Sequence, residues 1–452
     1  MKRILSVFLA AVIFSAIIPL GFVKASAHND EYHNVSGDYL YKVVGSEAYI
    51  TGYYGDGGNI IIPSQLGGYP VTKIAGPDIS NRMGDFYHCT KLTGVTIPKG
   101  IRSIEPFTFS NCKNLTKVSI AHGLKNIGDK AFDGCAKLGD VSIPASVESI
   151  GFGAFHGTSW IKNYNRDFVV AGDQILINYK GTAKNVSIPK GVKTIGIESF
   201  SGCKNITSVT IPDSVICIGE NAFSDCSKLV DMIIPQSVSS IDSGAFSNCS
   251  SLKSVIIPNG VKIIRDYTFS ECSSLNSVTI PAGVKSIGSY AFSECKSLKS
   301  ITVPTGVKSI GGNAFLNCAG LKSVKIPNSV TKIECHAFSG TFWLKNYHSD
   351  YVIAGEGILV GYKGSGSNVV IPDKVKNISD HFFDGYSNIK KITIPGSIKT
   401  IGFRTFGECK NLTEVVMKEG VTQIDPCAFY QCTSLSKISI PSSVTSIGYR
   451  AF

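Results

Sequence analysis

The chain has 452 residues, of which 43% are hydrophobic and 17% charged, and 44 Lys and Arg against 33 Asp and Glu give a net charge of +11. A charged fraction well under the usual quarter or so, with abundant β-branched residues, excludes an intrinsically disordered chain. No apolar run after the first 20 residues approaches the roughly 18 needed to cross a bilayer, which excludes a polytopic membrane protein, and length alone suggests about three domains.

At the amino terminus, Lys2 and Arg3 form a positive region and Ile4 to Leu20 an apolar stretch broken by Ser6, Ser15 and Pro19. Ala25-Ser26-Ala27 is a small-x-small cleavage site, so residues 1–27 read as a secretory signal peptide. An uncleaved membrane anchor is the competing reading; no cysteine stands nearby for lipid attachment. Cleavage removes Lys2, Arg3 and Lys24 and no acid, leaving +8. Residues 28–75 follow. Their runs Tyr39-Leu-Tyr-Lys-Val-Val-Gly45 and Ala48-Tyr-Ile-Thr-Gly-Tyr53, set around a Gly turn, predict a β-hairpin that caps the array behind it.

From there a 23-residue clock runs to the end. Phenylalanine keeps it at Phe86, Phe109, Phe132 and Phe155, then at Phe200, Phe223, Phe246, Phe269, Phe292, Phe315 and Phe338, then at Phe383, Phe406, Phe429 and Phe452. Cysteine keeps it at Cys89, Cys112 and Cys135, at Cys203, Cys226, Cys249, Cys272, Cys295 and Cys318, and at Cys409 and Cys432. A fixed period of this size means a solenoid. The unit reads C-x-x-L-x-x-V-x-I-P-x-x-V-x-x-I-G-x-x-A-F-x-x, as in Cys272 to Glu294. Leu275, Val278 and Ile280 form a short extended run, Pro281 ends it, and Val284 and Ile287 begin a second inward run. Gly288 is expected to supply a turn with positive φ, Ala291 a close approach of coils, and Phe292 a core filler. No coil buries its apolar face alone, so stability comes from neighbours.

The repeated L-x-x-V-x-I-P, V-x-x-I-G and A-F elements, as in Leu298 to Pro304 and Val307 to Phe315, resemble the BspA-like (Treponema-type) leucine-rich-repeat family across nearly all of the mature chain. The resemblance implies a mainly β solenoid interrupted by hairpin modules. It also implies a bacterial secreted or surface protein engaged in adhesion to host matrix proteins, cells or polysaccharide.

Two intervals of 45 replace 23, and they correspond. Trp160-Ile-Lys-Asn-Tyr164 matches Trp343-Leu-Lys-Asn-Tyr347, and these hold the only two tryptophans. Asp167 to Gly172 with Ile175 to Gly181 matches Asp350 to Gly355 with Ile358 to Gly364, each reading as a hairpin. Gly55, Asn59 and Pro63 keep the offsets of Gly181, Asn185 and Pro189, so the first hairpin is a diverged third copy. The expected organisation is therefore a cap at 28–75, repeat blocks at 76–158, 190–341 and 373–452, and hairpin modules at 159–189 and 342–372. The end at Ala451-Phe452, in mid-unit, reads as an uncapped coil of a longer natural chain.

Fourteen cysteines in a secreted chain suggest disulfides. One slot per coil argues instead for a ladder of free buried thiols acting as small hydrophobes, Cys226, Cys249, Cys272, Cys295 and Cys318 among them, with the ring ladder Phe223, Phe246, Phe269, Phe292 and Phe315 beside it. Thr158, Thr341 and Tyr386 take the slot where Cys is missing, and Cys427 with Cys432 is the one pair weighed for a bridge. No C-x-x-C or paired His suggests a metal. Gly355 to Gly361 narrowly misses a dinucleotide fingerprint and sits in a hairpin. No histidine recurs in register with a carboxylate. No catalytic constellation is found, so neither an enzyme nor a cofactor is expected.

Function in a solenoid rests on its variable positions. Hydroxyls and amines face outward at Thr116-Lys117, Lys253-Ser254, Lys299-Ser300 and Lys322-Ser323, either to hold an extended polymer or to keep the sheet soluble. The residue after the second Val is Lys at Lys193, Lys262, Lys285, Lys308, Lys376 and Lys399. In consecutive coils such ammonium groups stand about 5 Å apart and repel. The row is either a site for an anionic extracellular protein or polysaccharide or a guard against aggregation. Nucleic acid does not fit a secreted chain without aromatics on its basic face. Trp160 and Trp343 either stack on sugar rings or plug the joint between hairpin and coil. Three functions follow: an adhesive binding scaffold, a glycan- or wall-targeting module of a larger protein, and, least supported, a secreted enzyme.

Overall fold

The computed structural model describes residues 34–75 and 86–452. The signal-peptide reading of residues 1–27 lies outside them.

Each coil contributes two short strands, and like strands of successive coils pair in parallel 23 residues apart. In the first ladder Ser254–Ile256 pairs with Ser277–Thr279. In the second, Ile263–Ile264 pairs with Ser286–Ile287, which pairs with Ser309–Ile310. The strands are short because Pro281 and its equivalents cannot donate to a ladder and break the coil after the V-x-I run. The apolar residues of the unit turn inward, within the strands and between them: Leu275, Val284, Ile287, Ala291 and Phe292 are at most 1% exposed. Charged side chains meet across coils, as in Lys117 with Asp140 at 2.9 Å and Lys391 with Glu414 at 3.0 Å; at the surface such pairs add little.

The third side of the coil is a turn centred on the phenylalanine. In every coil from Phe109 to Phe429 the residues two before and two after the ring lie in the left-handed region, as Tyr290 (φ 56) and Glu294 (φ 60) do around Phe292. This costs a non-glycine residue about 1–2 kcal/mol. It aims the N–H groups along the solenoid axis, where they are used. Tyr290 N–H donates to Gly312 O at 3.0 Å, Phe292 N–H to Ala314 O at 2.8 Å and Glu294 N–H to Leu316 O at 2.7 Å.

These turns correct the expectation for Gly288. Its φ is not positive. A Cβ there would lie 2.6 Å from Asp266 N and 2.7 Å from Arg265 C, so the glycine is needed for coil-on-coil contact. Gly311 repeats the arrangement, 2.5 Å from Ser289 N.

The cysteines are free thiols in the described residues. They are more than small hydrophobes, because every ladder Sγ except those of Cys89 and Cys203 donates to the phenylalanine carbonyl of the coil before. Cys272 reaches Phe246 O, Cys295 reaches Phe269 O (3.2 Å each) and Cys318 reaches Phe292 O at 3.0 Å. The slot thus adds a weak donor to a carbonyl that also accepts the N–H of the cysteine in its own coil, as Phe269 O does from Cys272 N–H at 3.3 Å. Burial pushes the Cys226 and Cys272 thiols up to about 12.

The hairpins Tyr39–Val44 with Glu47–Tyr53, Phe168–Ala171 with Ile175–Tyr179, and Tyr351–Ala354 with Ile358–Tyr362 are antiparallel. The second strand of each then joins the second ladder in parallel, on Tyr69–Ile74, Thr194–Ile195 and Asn377–Ile378. Each hairpin also opens a ring stack: Tyr53 lies 4.9 Å from Phe86, Tyr179 4.9 Å from Phe200 and Tyr362 5.6 Å from Phe383. The apolar core forms three clusters that change over within single hairpin strands. Ile175 belongs to the first and Leu176 to the second; Ile358 belongs to the second and Leu359 to the third. Neighbouring residues of a strand face opposite ways, so one strand serves two cores.

Candidate functional site

The six lysines stand in one exposed column on the second ladder. Backbone bonds between coils hold the column together: Lys285 N–H donates to Lys262 O at 2.7 Å and Lys308 N–H to Lys285 O at 2.8 Å. Their charges are not equivalent. Lys193 is paired with Asp173 at 2.7 Å, and Lys376 with Glu356 at 3.2 Å. Both acids lie in hairpin turns, 183 residues apart like the lysines they meet. The Lys399 ammonium donates to the carbonyls of Gly396 and Gly420, and that of Lys262 reaches Asn259 O at 3.4 Å. No carboxylate among the described residues pairs with Lys262, Lys285 or Lys308.

One coil beyond Lys308 the same face opens into a groove of about 620 Å³. It runs from Thr331 and Lys332 past Lys376 and Asp380 to Lys399 and Asp425. The second hairpin creates it. Gly357 occupies the column between Thr331 and Lys376, whose N–H donates to Gly357 O at 2.8 Å. In the first hairpin Gln174 holds the corresponding place and receives the Lys193 N–H at 3.0 Å. Lys332 adds a further charge: its ammonium lies 2.8 Å from the Glu334 carboxylate, which holds the lysine above and the acid below their ordinary ranges.

The tryptophans stand apart from this face. Trp160 meets Phe155 edge-on at 5.0 Å and Trp343 meets Phe338 at 5.2 Å, each closing a ring stack that a hairpin tyrosine opened or continued. Both sit in short helices, Ser159–Asn163 and Phe342–Lys345, that the hairpin reading did not anticipate. Thr158 and Thr341 explain them. They do not merely pack in the cysteine slot, for each caps its helix, accepting from Ile161 N at 3.3 Å and Leu344 N at 3.2 Å. The far ends are held by Lys180, whose ammonium donates to Lys162 O at 2.9 Å and Tyr164 O at 2.7 Å, and equivalently by Lys363.

Several participants escaped the sequence reading. Arg102 and Lys125 share the lysine column but are neutralised, Arg102 by Glu47 at 2.8 Å and Lys125 by Glu148. The column position of Arg102, directly before Ser103-Ile104, was the available signal. The expectation that no histidine lies in register with an acid is corrected by His156, whose Nδ1 lies 2.9 Å from Asp133 Oδ1, one coil away. The pair is exposed and isolated. Among the described residues no group of His, Cys, Asp and Glu is arranged to hold a metal ion, and no helix is long and apolar enough to cross a membrane.

Comparison with known proteins bears on the repeat itself. The description "BspA type Leucine rich repeat region (6 copies)" matches residues 79–167, 177–272, 251–351 and 362–452. Among solved structures the chain is similar to a leucine rich cell surface protein from Faecalibacterium prausnitzii, at 26% identity over 88% of this chain and 96% of that one, with a TM-score of 0.33. It is similar also to a leucine-rich repeat protein from Eubacterium ventriosum, at 25% identity over 70% and 97%, with a TM-score of 0.40. A leucine-rich repeat protein of Treponema pallidum is 25% identical over 58% and 88%, with a TM-score of 0.23. No curated protein matches significantly in sequence.

Proposed function

The chain belongs to the BspA-type leucine-rich-repeat family, whose repeat it matches over most of its length, and from that we propose a secreted or cell-surface binding scaffold. Its ligand is an extended, anionic extracellular protein or polysaccharide, held along the second ladder for adhesion. One observation carries this reading: Lys262, Lys285 and Lys308 stack without a carboxylate partner and lead into the groove that contains Lys376 and Lys399. Like charges on adjacent strands lower stability, and Arg102, Lys125, Lys193 and Lys376 of the same column are each paired with an acid. A stretch of lysines without carboxylates beside a groove is where an anionic polymer gains most. Many weak contacts along such a face favour length in the ligand over depth in the pocket. The family resemblance and the leader-like residues 1–27 support an extracellular setting.

The test is binding of residues 28–452 to matrix proteins and to acidic and neutral glycans at several salt concentrations. An acidic ligand is expected to bind, to weaken as salt rises, and to be lost when Lys262, Lys285 and Lys308 are changed to Glu. Hits that survive the triple reversal and ignore salt overturn the assignment. A targeting role within a larger protein would show as selective binding to wall glycans alone.

A further inference from the structure

The lysine row borders one turn that is chemically unlike its counterparts. Each coil passes from the first ladder to the second through a tight turn, and beside Lys262 that turn is closed by Val261 N–H donating to Pro258 O at 3.1 Å. Asn259 and Gly260 form its tip, and they are the only Asn-Gly pair in the 452 residues. Gly260 is fixed by packing: a Cβ there would lie 2.9 Å from Val238 O and 3.2 Å from Ser239 Cα. The glycine recurs at Gly283 and Gly306 in the next coils, preceded there by Ala282 and Thr305.

The surroundings leave this pair open to attack from within. Asn259 is exposed, and its side-chain amide has no hydrogen-bond partner among the described residues. The Gly260 N–H likewise donates to nothing among them, whereas the Asn259 N–H is held by Gln236 Oε1 at 3.2 Å and the Val261 N–H by Pro258 O. Glycine also has no side chain to obstruct the approach of its nitrogen to the Asn259 Cγ.

We propose that Asn259 is a site of self-modification, at which the side chain deamidates and delivers a carboxylate to the lysine row. The Gly260 nitrogen gives up its proton and attacks Cγ. The N–Cγ bond forms, the Cγ–Nδ2 bond breaks, and the amide nitrogen leaves as ammonia with the proton that Gly260 lost. Water then opens the five-membered imide at either carbonyl. Opening at Cγ gives aspartate. Opening at the main-chain carbonyl gives isoaspartate, in which the chain runs through Cγ and the former main-chain carbonyl becomes a free carboxylate. That carbonyl is the one Lys262 already reaches, its ammonium lying 3.4 Å from Asn259 O. Lys399 makes the equivalent contact with Gly396 O at 3.0 Å, so the shape of the coil directs the ammonium there. The reaction turns a contact with a neutral carbonyl into an ion pair and neutralises one of the three lysines that lack a carboxylate. The fold accepts an acid at this place, since Asp213, Asp373 and Glu419 occupy it in other coils. The consequence for ligands rests on the reading of the lysine face; the reaction itself does not.

The test is incubation of the folded protein and of its Asn259→Gln variant in warm, mildly alkaline buffer, with tryptic mapping by mass spectrometry over several weeks. The peptide Ser254–Lys262 is expected to convert with time into aspartyl and isoaspartyl forms, both of the mass that loss of ammonia and gain of water require, the second a substrate for isoaspartyl methyltransferase. Peptides holding Asn276 and Asn328, each followed by serine, are expected to stay unchanged meanwhile. An intact Asn259 overturns the proposal, as does equal conversion of Asn276 and Asn328. Titration of the lysines, followed by ¹³C resonances after reductive methylation, is expected to place Lys262 higher in converted than in fresh protein, and to leave it unmoved in Asn259→Gln. On immobilised heparin the converted protein is expected to elute at lower salt than the fresh, and Asn259→Gln to elute alike before and after incubation. An unshifted Lys262 in converted protein overturns the delivery of the carboxylate. Failure of heparin to hold either form counts against the lysine face alone, because the peptide map and the lysine titration need no ligand.

Discussion

Removing the ring of Phe269 probes the architecture most directly. Phe269 is completely buried and lies between Phe246 and Phe292, 5.4 Å from each, with planes within 7° and 12° of parallel. In Phe269→Ala the loss of transfer free energy and the remaining cavity together cost about 3–5 kcal/mol. Two ring contacts are lost with it, each worth about 0.5–1.5 kcal/mol, and the neighbouring rings are held by the turn hydrogen bonds and cannot close the gap fully. The Phe269 carbonyl survives the substitution, so the Cys295 thiol keeps its acceptor. The proper control is Phe452→Ala. That ring stacks on one neighbour only, 5.4 Å from Phe429, and remains 49% exposed. Its loss should cost about 1 kcal/mol or less, in proportion to the area it covers. Urea denaturation followed by far-ultraviolet circular dichroism measures both. Because the core is in three clusters, native-state hydrogen exchange should place the Phe269 effect in the middle cluster. Equal midpoints for the two variants, or no change for Phe269→Ala, would refute an inward ladder.

The remaining expectations concern the devices between coils. Gly288→Ala places a Cβ against Asp266 N and Arg265 C and should cost about 1–3 kcal/mol in thermal unfolding; a neutral result would mean the coils can slide apart. Lys180→Met removes two charge-assisted bonds at a helix end and should cost about 1.5–3 kcal/mol, read by the same denaturation. Stability should fall as pH rises from about 9 towards 12. An unfolded thiol ionises near 9.0, whereas the buried Cys226 and Cys272 thiols stay neutral until about 12, so ionisation favours the unfolded chain across that window. Alkylation by iodoacetamide at pH 8 should accordingly spare the buried ladder thiols in the native protein, and rapid labelling of Cys272 would contradict the packing.

Much of this was legible without coordinates, for a physical reason. A solenoid repeats its environment, so a residue type required once is required every 23 residues, and the phenylalanine and cysteine columns announced the fold. The correspondence of Trp160 with Trp343 likewise disclosed both hairpins. The sequence was less informative wherever one residue has two possible uses. Gly288 was expected to relieve φ and instead permits contact, because a motif does not reveal whether conformation or proximity demands the glycine. Thr158 looked like a substitute for Cys and is a helix cap, which the Trp160 segment behind it could have suggested.

The candidate site divides in the same way. Sequence spacing determined which lysines share a column, since register follows from the period alone. It could not determine which of them carry free charge. That depends on acids distant in sequence: Asp173 and Glu356 reach Lys193 and Lys376 only because hairpin turns bring them there. Nor could it show the groove beyond Lys308, since it arises where a hairpin interrupts the stack. The period specifies what recurs between neighbouring coils. Only the tertiary structure decides what happens where that recurrence is broken, because there each residue meets partners that no spacing rule relates to it.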